Sequence, residues 1–275
     1  MLPQITIVTP SFNQGRYIER TLLSVLDQGY PNLEYIVVDG GSTDASIEII
    51  RWYGPRLSSW VSEPDNGQAD AINKGFAQAH GEVFTWLNSD DVLLPGALAL
   101  VGKIFARYPQ ITWLTGLNAN LDTEDHLSRK TTTFYKFRPL IRRGYYHGRG
   151  LGFIRQEGTF WRRELWERTG NRVDVSRRYT MDYDLWLRFA QYADLVTVGA
   201  YLAAFRQHES QKTAQIEPYY REAGITLPEA ARWMMLPIRA MLAPISSKVA
   251  PRVVYRQPTD TWEFVPGDFF TPGIS

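Results

Sequence analysis

Four times in its first 91 residues the chain runs through a short apolar stretch and stops abruptly in a polar turn. Ile5–Thr9 ends in Pro10-Ser-Phe-Asn-Gln-Gly15 and Leu33–Val38 in Asp39-Gly-Gly-Ser-Thr-Asp44. Ser58–Ser62 ends in Glu63-Pro-Asp-Asn-Gly67, and Val83–Leu87 in Asn88-Ser-Asp-Asp91. Between these runs apolar residues recur three or four apart, as at Ile18, Leu22 and Leu26, or Ala69, Ile72, Phe76 and Ala79, the period of a helix face. A helix from about Pro95 to Ala106 and a strand at Ile111–Thr115 continue the alternation. The pattern predicts an α/β fold, a mostly parallel sheet flanked by helices on both faces. Ligands of such sheets gather outside the carboxyl ends of the strands. Ser11, Asp39, Asp65 and Asn88–Asp91 are therefore expected on one rim.

That rim carries carboxylates and amides where phosphate-cradling loops carry glycine. No Gly-x-Gly-x-x-Gly follows the first strand and no Gly-x-x-x-x-Gly-Lys occurs, which argues against a dinucleotide oxidoreductase or a P-loop NTPase. Acidic strand ends suit a nucleotide held through base, ribose and a divalent cation, Mn²⁺ or Mg²⁺, shared with substrate phosphates. Thirty Lys+Arg against 29 Asp+Glu leave a net charge of +1, so there is no global electrostatic case for nucleic acid. The absence of cysteine removes disulfides, thiolate metal sites and cysteine nucleophiles, and fits a reducing compartment. Met1-Leu-Pro-Gln-Ile-Thr has neither the basic nor the apolar region of a secretory signal. The longest apolar run, Tyr192–Phe205, is too short to span a bilayer and carries Asp194. The expectation is a cytoplasmic protein, soluble or peripheral at the inner face of the membrane. Nine tryptophans suit a sugar-stacking site and a filled core equally.

The second half is less regular. Gln156–Trp161 reads as a strand, Arg163–Thr169 as a short helix stopped by Gly170, Thr180–Tyr192 as a stronger helix and Leu195–Phe205 as β-like. Residues 129–149 hold seven Lys/Arg and no acid. Two readings stand for them: a solvated loop, or a clamp that orders over an anionic acceptor such as a lipid-linked diphosphate. Beyond Pro218 prolines multiply and the pattern loosens. Residues 230–259 again carry five Lys/Arg and no acid around Trp233-Met-Met-Leu-Pro-Ile-Arg-Ala-Met-Leu242. This stretch suits a membrane interface. Pro237 interrupts an ideal helix there, and packing on the body or on a second copy fits as well. The division expected is a catalytic domain over 1–214, with a nucleotide-binding half at 1–115 and an acceptor and catalytic-base half at 116–214. An irregular C-terminal extension over 215–275 follows, a candidate for membrane-surface or oligomer contact.

Five motifs occur in order: Thr9-Pro-Ser-Phe-Asn13, Val38-Asp-Gly-Gly-Ser-Thr-Asp44, Asp65–Gly75, Leu87-Asn-Ser-Asp-Asp91 and Met181-Asp-Tyr-Asp-Leu-Trp-Leu-Arg188. Together, over roughly residues 4–210, the chain resembles the inverting glycosyltransferases of family 2, which have the GT-A nucleotide-diphospho-sugar transferase fold. The resemblance implies transfer of a hexose-type sugar from a nucleotide-diphosphate donor, with UDP favoured, to a hydroxyl acceptor in polysaccharide or glycan assembly. It implies that Pro10, Ser11, Asn13, Asp39, Asp65, Gln68, Asn88, Ser89 and Asp90 hold the nucleotide sugar. In that scheme Asp90 is the metal ligand and Asn88 stands in the first acidic position of the family's Asp-x-Asp motif. Asn73 and Lys74 would approach the diphosphate, and Gln156–Thr159 and Trp161 would line the acceptor cleft. His208 would be a second metal ligand, with Arg206 an alternative partner of the diphosphate.

Plainer readings accompany these. Asp39 suits a turn, and Ser89 or Asp91 a helix cap at Pro95. Asp184 and Arg188 stand four apart, a helical salt bridge. Asp182 shares its helix face with Leu185, Trp186 and Phe189. Desolvation there raises a carboxyl pKa, which suits a base that takes a hydroxyl proton. The resemblance assigns the catalytic base to the same residue, and a first-turn acid favoured by the helix dipole is the plain alternative. Two rival functions remain: a nucleotidyltransferase on a related sheet, and a non-catalytic module binding nucleotide sugar or a membrane surface. Pro10–Gly15 lacks the glycine-rich, Lys-bearing loop of the first, and Asp182 argues against the second.

Overall fold

In the computed structural model, which describes residues 1–130, 136–209, 211–214 and 216–268, strand β1 (Ile5–Ser11) is buried along its whole length. It pairs in parallel with β2 (Leu33–Asp39) on one side and β4 (Val83–Trp86) on the other, and β3 (Ser59–Ser62) continues beyond β2. Because Ser11 is level with Asp39, and Asp39 with Ser62, the carboxyl ends of three strands finish side by side. The period-two alternation divides the core. Ile5, Ile7 and Val37 pack under α1 (Ile18–Leu26), α2 (Ser46–Tyr53) and α4 (Ala97–Arg107). Val8, Ile36 and Val38 pack under α3 (Gln68–Ala77), α6 (Arg163–Arg168) and α7 (Met181–Phe189).

The second half completes the sheet with β5 (Val92–Leu93), β6 (Trp113–Leu121), β7 (Leu127–Lys130), β8 (Thr159–Arg162) and β9 (Val196–Arg206). Strand β8 lies between β4 and β6 and runs antiparallel to both, while β6 and β9 are parallel. The sheet is thus wholly parallel across β4-β1-β2-β3 and mixed beyond it, in the order β9-β6-β8-β4-β1-β2-β3. Its centre is aromatic. Trp86 lies 6.0 Å and Trp113 5.5 Å from Trp186, and Trp161 lies 5.5 Å from Phe189. Trp86, Trp113, Trp161, Trp166 and Trp186 are all buried, so the tryptophan excess serves chiefly the core.

Several expected boundaries move. The helix expected from Pro95 begins at Ala97, behind Gly96 in the left-handed region, and no side chain caps it. Neither Ser89 nor Asp91 is therefore a helix cap. The strand expected from Gln156 starts only at Thr159, since Gln156 turns inward and donates to the Trp86 carbonyl. The loosened C-terminal pattern contains α8 (Ile216–Glu222), α9 (Ala231–Val249), β10 (Arg252–Arg256) and β11 (Thr261–Val265). Strand β10 pairs with β9, so the hairpin extends the main sheet. Pro237 and Pro244 do not end α9. Each removes one intrahelical bond, and on a largely exposed helix water can satisfy the freed carbonyls.

Helix α3 reaches β1 so closely that a Cβ on Gly75 would collide with both methyl groups of Val8. Gly75→Ala should therefore lower unfolding stability by about 1–3 kcal/mol through overpacking. Urea titration reads this as a lower midpoint, and an unchanged midpoint would refute the close packing.

Candidate active site

The rim is built by its own loops. The Asp39 carboxylate is fully buried and accepts from the Gly41 and Ser42 amides at 3.1 and 2.8 Å, and from the Ser42 and Ser62 hydroxyls at 2.5 and 2.7 Å. In this arrangement Asp39 shapes the 40–44 loop, with its carboxylate oxygens engaged by Gly41, Ser42 and Ser62. Asn13, at φ 52°, joins the first two loops: its amide donates to Ser42 Oγ and its Oδ1 accepts from Thr43 N. Asp65 lies against Gly40, where a Cβ would stand 2.8 Å from Asp65 Oδ2. Its other oxygen accepts from Gly67 N at 2.7 Å. Pro10 and Ser11 are buried at the strand end, and Ser11 Oγ has no partner among the described residues. Phe12 beside them is exposed, a ring on the rim that the sequence reading passed over although it sits inside a quoted motif.

The Asn88–Asp91 turn faces these loops. Gln68 links it to α3, donating from Nε2 to Asn88 Oδ1 at 2.6 Å while its own Oε1 accepts from Lys212 Nζ at 2.7 Å. Asn88 Nδ2 meets Asp91 Oδ2 at 3.2 Å, so the residue in the first acidic position is engaged as a spacer within the turn. Ser89 and Asp91 are buried. Burial first, then the neighbouring Asp90 and Glu157, pushes the Asp91 carboxyl well above the carboxylate range. Asp90 meets His208, with Oδ2 and Nε2 3.0 Å apart. The imidazole is nearly buried and lies 4.7 Å from the Tyr17 ring. One oxygen and one nitrogen donor so placed suit a divalent cation that completes its shell with diphosphate oxygens and water. Among the described residues no group of three or more His, Cys, Asp or Glu side chains forms a metal cage.

Asp182 occupies the first turn of α7, where Tyr183 N donates to its Oδ1 at 2.7 Å. Glu222 fixes this helix start by accepting from the amides of Arg178, Tyr179 and Thr180 and from the Thr180 hydroxyl. Leu185, Trp186 and Phe189 sink into the core, and Asp182 keeps partial exposure. Desolvation raises its carboxyl to about 6, against the helix-start amides that favour the ionised form. Asp184 and Arg188 make the expected i,i+4 bridge at 2.9 Å.

Two residues outside the expected catalytic set act electrostatically on both Asp90 and Asp182. Glu157 is buried, held above its ordinary value by desolvation, and feels the charge of Asp90. It also acts electrostatically on Asp182. Lys212, exposed at the surface, is in electrostatic reach of both Asp90 and Asp182. A lone acid within the uncharged run 156–161 was the available signal for Glu157. Lys212 had none, since 144 residues separate it from Gln68.

Other expected residues lie elsewhere. Asn73 clasps Val173 through both its amide atoms, at 3.0 and 2.9 Å. Lys74 pairs with Glu63 at 2.9 Å on the surface. Arg206 is buried and bonds the Asp90 and Asp122 carbonyls, so it braces the site from behind. Trp161 and Thr159 are fully buried and line no cleft. In the basic segment, Arg138 binds the Ala190 and Gln191 carbonyls and Arg149 the Leu227 carbonyl, so both are built into the body. Residues 131–135 lie outside the described residues.

A raised Asp182 pKa is a statement about stability. The folded state holds this proton more tightly than the unfolded chain, so its contribution to stability falls as pH rises from about 4 to about 6. Above that window the ionised group costs on the order of 1–3 kcal/mol. Asp182→Asn should therefore raise the melting temperature at pH 7.5, with the difference closing below about pH 4. Equal melting at both pH values would contradict the desolvated environment.

The comparisons with known proteins agree with this architecture. The family model for glycosyl transferase family 2 matches residues 6–168. An uncharacterized glycosyltransferase of Rickettsia typhi is 27% identical over 236 residues, covering 79% of this chain and 69% of that protein. The chondroitin synthase of Pasteurella multocida is 33% identical over 129 residues, 46% of this chain but 13% of the synthase. Among solved structures, S. aureus TarS 1–349 in complex with UDP-GlcNAc aligns with a TM-score of 0.64 at 16% identity, covering 86% of this chain and 71% of that one. The mannosyltransferase PcManGT of Pyrobaculum calidifontis, in complex with GDP-Man and Mn²⁺, gives 0.60 at 20% identity, covering 90% and 76%.

Proposed function

The chain belongs to glycosyl transferase family 2, and from that premise we propose that it transfers a sugar, with inversion, from a UDP-type nucleotide-diphosphate donor to a hydroxyl acceptor in polysaccharide assembly. The observation that carries the reading is that Asp90, which meets His208, and Asp182 share two electrostatic neighbours, Glu157 and Lys212.

A base with a pKa about one unit below neutrality is ionised in use yet still basic enough to take a proton from an attacking hydroxyl. Asp182 accepts that proton. The acceptor oxygen then bonds to the anomeric carbon, the bond from that carbon to the diphosphate breaks, and the nucleoside diphosphate leaves. A single displacement with one base opposite the leaving group inverts the anomeric centre. Asp90 and His208 would hold a divalent cation, Mn²⁺ or Mg²⁺, whose chemistry is to neutralise charge on the leaving diphosphate. Imidazole in the donor set favours Mn²⁺ over Mg²⁺. Lys212, anchored by Gln68, adds a positive charge on the same side. The 40–44 loop, Ser11 and Asp65 would frame the base and ribose, with Phe12 beside them.

The complexes of TarS with UDP-GlcNAc and of PcManGT with GDP-Man and Mn²⁺ support a nucleotide-sugar donor, and the chondroitin synthase supports a polysaccharide product. No helix among the described residues is long and apolar enough to cross a membrane.

A thermal-shift panel of UDP, GDP, dTDP and CDP, each with and without Mn²⁺, tests the donor rim. A ligand at about 100 times its Kd adds about 2.7 kcal/mol, so UDP with Mn²⁺ should raise the melting temperature clearly. A flat panel with folded protein would overturn the reading. Asp182→Asn should abolish transfer and keep the UDP shift, whereas Asp90→Ala should remove the Mn²⁺ response. In the wild type kcat/KM should fall below about pH 6 as Asp182 takes up its proton. A profile flat down to pH 5 would assign the base elsewhere.

A further inference from the structure

Asn88 stands where an acid was expected, and its amide is one link in a chain of hydrogen bonds that runs in one direction. Lys212 Nζ donates to Gln68 Oε1 at 2.7 Å, Gln68 Nε2 to Asn88 Oδ1 at 2.6 Å, and Asn88 Nδ2 to Asp91 Oδ2 at 3.2 Å. Asp91 Oδ1 accepts in turn from the Arg206 amide at 3.0 Å. The two ends fix the direction. An ammonium only donates and Asp91 accepts at both oxygens, so each amide between them turns its oxygen to the lysine side and its nitrogen to the acid. A carboxylate at position 88 could still accept from Gln68, but it would meet Asp91 oxygen against oxygen, with like charges in contact.

The chain joins three elements. Gln68 is the first residue of α3, Asn88 lies two residues past β4, and Lys212 begins a single 3₁₀ turn, Lys212–Ala214, beyond β9. The same Nζ stands 3.3 Å from the Arg178 carbonyl, and the Arg178 amide is held by Glu222. Arg178 precedes Asp182 by four residues, so Lys212 ties the start of α3 to the approach to α7. Its own segment is folded locally: the Gln211 side chain accepts from the His208 amide and the Gln211 carbonyl from the Ala214 amide, both at 3.0 Å. An exposed lysine otherwise samples many rotamers, and ordering it costs entropy. Acceptors that order it in the free protein remove that cost from the binding of an anion.

We propose that Gln68 is a positioning residue that acts through Lys212: anchored by Asn88, it holds the ammonium at the start of α3 before the nucleotide diphosphate arrives, and it need not touch the donor. The inference rests on the reading of the rim as a nucleotide-diphosphate site. It changes Gln68 from a ligand of the nucleotide sugar into a support for the cation that meets it. It also gives Asn88 a reason in this chain. The amide carries the anchorage of the buried Asp91 out to an exposed lysine, which an acid in its place would not do.

The test is a double-variant cycle on the full chain, read by calorimetric titration of UDP with Mn²⁺ present. Gln68→Leu and Lys212→Met should each weaken UDP about tenfold, the scale of one charge-assisted hydrogen bond. The double variant should also lose only about tenfold, because Gln68 contributes nothing once the ammonium is gone. A loss of about a hundredfold, the product of the two, would mean that Gln68 meets the nucleotide itself and would overturn the positioning role. So would a Gln68→Leu affinity equal to that of the wild type. A second readout needs neither metal nor nucleotide: hydrogen exchange at the amides of Gln211, Lys212 and Ala214 should quicken in Gln68→Leu and as much in Lys212→Met. Unchanged exchange in both would remove the tether. A wild type that binds no UDP, with the quickened exchange still seen in the variants, would sink the donor reading and leave the tether standing.

Discussion

The turn that carries Asp90 and the strand end that leads to His208 are joined at Arg206. Its amide donates to Asp91 Oδ1 at 3.0 Å and its Nε to the Asp90 carbonyl at 2.8 Å. Its other nitrogens close on the Asp122 carbonyl and the Asp125 carboxylate, and the guanidinium lies 5.1 Å from the Tyr17 ring centre. The turn after β4 is thereby tied to the end of β9, more than a hundred residues away in sequence. His208, two residues further on, is delivered to Asp90 by this attachment. A buried guanidinium is costly unless every face is occupied, and here an ion pair, two carbonyls and a ring occupy it. The Asp91 carboxylate, buried beside Asp90 and Glu157, is held in place from the other side by Asn88. Polar groups so deeply placed specify one arrangement of the halves, because no slipped register would satisfy them.

The first half of this architecture was legible because its information is local. Each strand announces itself by a β-branched run and each helix by spacing; the runs Ile5–Thr9 and Leu33–Val38 mark the first two strands, which the structure extends to Ser11 and Asp39. Asp182 was legible for the same reason: its neighbours at i+3, i+4 and i+7 are Leu185, Trp186 and Phe189, so the sequence alone sets a carboxylate on an apolar face. Asp39 was located but its orientation was not, since the donors that turn it inward come from its own loop and from Ser62 on another strand. Arg206, Lys212 and the clasp of Asn73 on Val173 depend on contacts 100 or more residues apart, to which no periodicity refers.

The C-terminal segment was obscured by proline. Pro237 and Pro244 mark helix ends in most sequences, but here the inner stripe of α9 is carried by Met235, Arg239, Leu242 and Ser246, and neither proline belongs to it. Packing on that stripe supplies what the two missing backbone bonds remove. The opposite side of the same helix exposes Trp233, Met234, Leu236, Ile238, Met241 and Ile245.

Helix α7 shows how the fold tolerates a desolvated acid. Holding Asp182 desolvated costs on the order of 1–3 kcal/mol once it is ionised. Three residues of the same helix, Leu185, Trp186 and Phe189, enter the aromatic core, and full burial of a large apolar side chain stabilises by about 1.5–3 kcal/mol each. The burial term is the larger by a factor of about three, before the Glu222 clasp on the three amides ahead of the helix is added. The acid therefore sits in the first turn, at the edge of the cleft, where the helix amides moderate its charge and the remainder of the helix is anchored. Moved one turn further into the stripe, the same carboxylate would displace a core residue and lose the helix-start amides.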